Sequence, residues 1–221
     1  IRHTIALDAM GTDSAPHSEV EGAIRALETS VDGFEVLLVG DEERIRSELS
    51  LYSGYPPDRI SVIHAPDRID TGESPATAVR RKPTSSIVVG VKLQKEGKAD
   101  AFVSGGSTGA VMAASSLFLR RLPGVDRPAI GAILPTSSGP TLMLDAGANV
   151  DCKPQNLLQF AHLGQIYAQD LMGVENPRIG LLNIGEEPEK GNELAVESHK
   201  LIGEAGLNFI GPCSRTVHDA G

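Results

Sequence analysis

The sequence has no tryptophan, and aromatic residues make up only 4% of it. Its interior must therefore be built from alanine, valine, leucine, isoleucine and glycine, a composition suited to α/β packing. Cysteine is nearly absent. Cys152 and Cys213 stand alone, with no C-x-x-C pair and no metal-ligand spacing, which excludes a disulfide framework and points to a reduced, cytosolic protein. Excess positive charge is also missing. Twenty Lys and Arg against 29 Asp and Glu leave a formal charge of −9, the wrong sign for a general nucleic-acid binder. No leader pattern stands ahead of Ile5, where the chain is expected to enter a strand. Residues 101–119 carry no charge, but three glycines and four serines interrupt them. They read as a buried turn and a core helix rather than a membrane span. Neither a Walker P-loop nor G-x-G-x-x-G occurs, so a dinucleotide-dependent dehydrogenase is disfavoured.

What is present is a repeated β-then-α pattern over 221 residues, enough for a sizeable core. Apolar runs predict strands at 5–7, 36–39, 60–63, 101–103, 129–134, 141–144, 178–182 and 207–210. Helical spacing predicts helices from His17 to Glu28, Glu42 to Leu49 behind an Asp41 cap, and Thr84 to Glu96. Others are predicted from the Ser107–Thr108 cap to Arg120–Arg121, from Pro154, and from Asn192 to about Ala205. Residues 65–83 read as an irregular loop, broken by Pro66, Gly72, Pro75 and Pro83 and carrying Arg80, Arg81 and Lys82. Residues 136–140 read as a hairpin-like connection. This order predicts a doubly wound α/β sheet, with ligands beyond the carboxyl ends of its strands.

Four loops begin there, at Asp8, Ser104, Asp145 and Asn183. The turn Ser104-Gly105-Gly106-Ser107-Thr108-Gly109 joins a strand to a helix N-terminus. It is either an anion site, with N–H donors at the positive end of a helix dipole, or a well-capped turn without a ligand.

Taken together, Asp8-Ala-Met-Gly-Thr-Asp13, Ser104-Gly-Gly-Ser-Thr-Gly109, Leu144-Asp-Ala-Gly-Ala-Asn-Val-Asp-Cys152 and Leu181-Leu-Asn-Ile-Gly-Glu-Glu187 with Lys190-Gly-Asn-Glu193 resemble the bacterial phosphate acyltransferase (PlsX) family. Arg80-Arg-Lys82 and Arg127-Pro-Ala-Ile130 fit the same pattern, and the resemblance spans residues 3 to about 211. It implies one three-layer α/β/α domain over 1–211, akin to isopropylmalate dehydrogenase and phosphotransacetylase, with 212–221 as a divergent tail. Thr12 and Ser107 depart from the family's usual Gly and Asn. Family chains also run on past this point, so a fragment or a short form is expected.

The implied reaction moves a fatty acyl group from acyl-[acyl-carrier protein] to inorganic phosphate, giving acyl phosphate for glycerol 3-phosphate acylation in phospholipid synthesis. No cofactor and no metal are implied. The expected partners are acyl carrier protein, inorganic phosphate and a second copy in a homodimer. The expected location is the cytoplasm, with peripheral membrane contact. On this resemblance Ser104, Gly105, Gly106, Ser107, Thr108 and Gly109 cradle phosphate, with Asp8, Gly11, Asp145 and Asn149 beside the substrate. Lys190, Asn183 and Asn192 serve the chemistry, the lysine offsetting phosphate charge or stabilising the tetrahedral oxyanion. Phosphate itself is the nucleophile. Arg80, Arg81 and Lys82 are the docking residues for an acidic carrier protein. Two alternatives stand beside this reading: a phosphotransacetylase-like enzyme using acyl-CoA, and a non-catalytic module that binds a carrier protein or membrane.

Overall fold

Four apolar runs become β1 (Thr4–Asp8), β2 (Glu35–Gly40), β3 (Ile60–His64) and β4 (Ala101–Val103), which form a parallel sheet in the order β3-β2-β1-β4. The computed structural model describes residues 3–30, 33–137 and 139–214, and it divides after Arg120 into two compact units. The sheet belongs to the first. Its strands are near-continuously apolar because both faces are covered. Val36 and Leu38 pack with Val20, Ile24 and Leu27 of α1 (His17–Thr29) and with Ile45 and Leu49 of α2 (Glu42–Leu49). Leu37 and Val39, one residue out of phase, pack on the other face with Leu93 of α4 (Ser86–Lys95) and Ala99. Period-two alternation thus places helices on both sides.

Caps set the helix starts. Asp41 Oδ1 accepts Arg44 N–H at 3.1 Å, and Ser85 Oγ accepts Val88 N–H at 3.4 Å. Where α4 crosses β4, a Cβ on Gly90 would stand 2.1 Å from the Phe102 ring, so the close approach needs glycine.

The irregular reading of residues 65–83 is corrected by α3 (Pro75–Arg81). Pro75 suits a first helical turn, and Ala78 and Val79 bury themselves with Ile87, Val88, Ala110 and Ala114. Tertiary burial overrides the proline and glycine signals around it. Arg80 and Arg81 therefore form a helix's last turn rather than part of a loop. The helix after the glycine turn, α5 (Thr108–Phe118), is shorter than predicted, and Arg120 beyond it has a φ of 70°.

In the second unit β5 (Gly131–Thr136) and β6 (Gly139–Leu144) make an antiparallel hairpin. Thr136 pairs with Gly139, so the strands extend into the predicted connection, of which Ser138 lies outside the described residues. α6 (Pro154–Asp170), β7 (Ile179–Leu182), α7 (Glu193–Gly203) and β8 (Phe209–Cys213) follow, and β7 pairs with β8 in parallel. β8 takes in Pro212 and Cys213, which the sequence reading put in the tail; residues 215–221 lie outside the described residues. Among the described residues no helix is long and apolar enough to cross a membrane.

Candidate anion-binding site

Strand order locates the site in the first unit. β1 pairs with β2 on one side and with β4 on the other, so the order reverses between β1 and β4. Open α/β sheets bind ligands outside the carboxyl ends of their strands at such a switch point. Asp8 ends β1, and Ser104 follows β4.

Asp8 is fully buried. Ser104 Oγ donates to Asp8 Oδ2 at 2.6 Å, and Met10 N–H donates to Asp8 Oδ1 at 3.0 Å. The serine oxygen in turn accepts Gly106 N–H at 3.0 Å. One carboxylate oxygen thereby ties the two loops together, while the other braces the loop that follows β1. The glycines serve the same contact. A Cβ on Gly11 would lie 2.7 Å from Gly106 N and 2.9 Å from Asp8 Oδ2, and one on Gly105 would lie 2.8 Å from Thr12 Cγ2. Their small size admits the neighbouring loop, beyond any room it leaves for a ligand.

Some turn donors are consumed internally. Gly106 N–H goes to Ser104, and Ala110 N–H goes to the Ser107 cap at 3.3 Å. Thr108 and Gly109, in the first turn of α5, present N–H groups with no intrahelical acceptor. These and the exposed Thr108 side chain are what an anion would meet.

Two residues missed by sequence reading support this region. Glu19 is buried in the first turn of α1 and accepts Thr12 N–H at 2.9 Å, while its second oxygen has no hydrogen-bond partner among the described residues. Glu73 accepts Lys82 Nζ at 2.6 Å. Nothing in the spacing of either pair announces it.

The second unit holds Asp145, Asn149, Asn183, Lys190 and Asn192 in two local clusters. Asp145 Oδ1 accepts Ile130 N–H at 2.7 Å, and Asp145 Oδ2 accepts Asn149 N–H at 2.8 Å. Asn149 Nδ2 donates to the Pro128 carbonyl at 2.8 Å, so this pair braces its loop. In the other cluster Asn183 Nδ2 donates to the Lys190 carbonyl at 2.7 Å. Asn192 caps α7 by accepting Ala195 N–H at 3.0 Å. Lys190 Nζ is half-exposed and lies 2.8 Å from Glu187 Oε1; its hydrogen bond holds the Glu187 carboxyl below its ordinary range.

Arg80 and Arg81 are exposed, and neither has an ion-pair partner among the described residues, whereas Lys82 is engaged by Glu73. Burial pushes both the Cys152 and Cys213 thiols up, which weakens them as nucleophiles. His64 Nδ1 accepts Glu42 N–H at 3.3 Å, a structural bond at the start of α2. Among the described residues no group of three or more His, Cys, Asp and Glu is arranged to hold a metal ion.

Known proteins carry the same pattern. Residues 3–215 match the fatty acid synthesis protein family. A phosphate acyltransferase of Desulfitobacterium hafniense (strain DSM 10664 / DCB-2) is 53% identical over 207 residues, covering 94% of this chain and 61% of that protein. One from Salinibacter ruber is 49% identical over 208 residues, covering 94% and 62%. The chain thus spans about three-fifths of the length of these curated relatives. Among solved structures, EutD phosphotransacetylase from Staphylococcus aureus superimposes with a TM-score of 0.63 at 21% identity, over 91% of this chain and 64% of that one. A branched-chain phosphotransacylase from Enterococcus faecalis V583 gives 0.59 at 15% identity, over 96% and 68%. The fold is therefore phosphotransacetylase-like, and the chain belongs to the fatty acid synthesis protein family whose matching relatives are named phosphate acyltransferase.

Proposed function

We propose that this chain binds inorganic phosphate at the β1/β4 switch point and belongs to an enzyme that transfers a fatty acyl group to it from acyl-[acyl-carrier protein]. The observation that carries the reading is the buried Asp8–Ser104 bond, which fixes a glycine turn beside the open N–H groups of α5. A phosphate oxygen attacks the thioester carbonyl carbon. The new C–O bond forms, the C–S bond breaks through a tetrahedral intermediate, and the leaving thiolate takes up a proton. Acyl phosphate and free carrier protein result. Positioning supplies much of the acceleration because the nucleophile is a substrate held by main-chain donors.

Asp8 and Gly11 act as positioning residues for the turn. Lys190 is the group we assign to offset developing negative charge. Asn183 and Asn192 hold the lysine's loop and the helix after it through hydrogen bonds to the main chain. Asp145 and Asn149 brace their loop in the same way. Carrier docking falls to Arg80 and Arg81. A homodimer in the cytoplasm, with peripheral membrane contact, completes the reading, and Thr108 and Gly109 carry the phosphate contacts within it.

The test is to incubate the protein with a long-chain acyl-carrier protein, with and without phosphate, and to trap acyl phosphate as the hydroxamate. Phosphate-dependent hydroxamate supports the enzyme. Its absence, with carrier protein still bound, would leave only a binding module. Higher phosphate-dependent turnover with acyl-CoA would favour the phosphotransacetylase-like alternative.

A further inference from the structure

α3 has seven residues, too few to be stable as an isolated helix. Both its ends are tied to one loop. Lys82, just past its last residue, donates Nζ to the Arg68 carbonyl at 2.7 Å and to Glu73 Oε1 at 2.6 Å. The same Glu73 oxygen accepts Asp70 N–H at 2.8 Å, and Glu73 N–H returns to the Asp70 carbonyl at 3.1 Å. Glu73 stands two residues before Pro75, so a single carboxylate joins the beginning of the helix to its end. Pro75 is placed where it matters for the anion turn. Its Cγ would be 2.8 Å from a Cβ on Gly109, the residue whose N–H group faces the proposed phosphate.

We infer that the Glu73–Lys82 clamp is a positioning device for the phosphate turn: it seats Pro75 against Gly109 and so fixes one wall of the α5 N-terminus. The inference rests on the phosphate reading above. It also gives Lys82 a different task from carrier docking, because its ammonium is already held by a carboxylate and a carbonyl.

The test uses Glu73→Ala and Lys82→Met, with Glu73→Gln as the conservative variant and the swapped double variant Glu73→Lys/Lys82→Glu as the rescue. Far-UV circular dichroism establishes that each is folded. Titration with inorganic phosphate by calorimetry, and steady-state kinetics in phosphate and in acyl-carrier protein, supply the readouts. The expected result is a rise of about tenfold in the phosphate Kd and KM, with the carrier-protein KM unchanged. A smaller rise is expected for Glu73→Gln, and partial recovery in the swap. Folded variants that bind phosphate like the parent protein would overturn the inference, as would a rise confined to the carrier-protein KM. If the parent protein itself binds no phosphate, the phosphate reading fails and the clamp inference falls with it. A variant that loses its fold, with no recovery in the swap, also counts against it, since the clamp would then be holding the unit rather than the turn.

Discussion

At the scale of single residues, two glycines illustrate different constraints. Gly90 lies inside α4, where alanine would ordinarily gain about 0.5–1 kcal/mol of helix stability. Its Cβ would meet the Phe102 ring at 2.1 Å, and overpacking costs about 1–3 kcal/mol. Gly90→Ala is therefore expected to be net destabilising in urea unfolding; a stabilised variant would show that the ring moves aside freely. Gly11 faces the Gly105–Gly106 main chain and the fixed Asp8 carboxylate, which cannot swing away, so its constraint belongs to the site itself. Lys190 invites a sharper test of chemistry. If it stabilises the oxyanion, Lys190→Ala lowers kcat by about 10²–10³ with little change in fold. Unchanged turnover would remove the lysine from the reaction. Sequence reading singled out Lys190 and Ser104 from their motifs, but it could not see Glu73 beside Lys82. That pairing depends on a nine-residue excursion whose ends meet only after α3 has folded.

Secondary-structure elements were legible wherever one residue carried the signal. Asp41, Ser107 and Asn192 each accept a first-turn N–H group, and Pro154 opens α6. α3 was not legible, because its stability comes from Ala78 and Val79 reaching a distant core rather than from its own periodicity. The end of β8 was missed for a related reason: pairing with β7 carries the strand through Gly211 and Pro212, which locally signal a turn. The contact between α1 and α2 makes a pH-dependent prediction. His17 Nδ1 lies 2.8 Å from Glu48 Oε1, with Glu21 and the Tyr52 hydroxyl also nearby. The hydrogen bond with Glu48, then its charge, holds the imidazole above its ordinary 6.5. This contribution is fully present below that value and is lost as pH rises through the raised folded value. The difference in melting temperature between the parent protein and His17→Gln should therefore shrink on going from about pH 6 to alkaline pH. A difference that does not vary with pH would rule out the linkage.

For the molecule as a whole, the formal charge of −9 and the acidic character of carrier proteins oppose association. In the proposed docking, Arg80 and Arg81 supply the local attraction. Added salt should raise the carrier-protein KM, and Arg80→Glu/Arg81→Glu should abolish most of that dependence. A KM independent of salt in the parent protein would exclude docking by these arginines. The α/β class followed from the repeated pattern alone, whereas the division after Arg120 had no compositional boundary to announce it. The Asp8–Ser104 bond has one further consequence. It joins residues 96 positions apart, and Thr4 N–H is bound by Asp100 across the same separation. Loop closure of that span is entropically unfavourable until the intervening strands have stacked. In a refolding experiment, phosphate affinity should therefore appear together with the last recovery of the first unit's tertiary signal, after helical structure has formed. The turn is only six residues long, yet its assembly reports on nearly everything between β1 and β4.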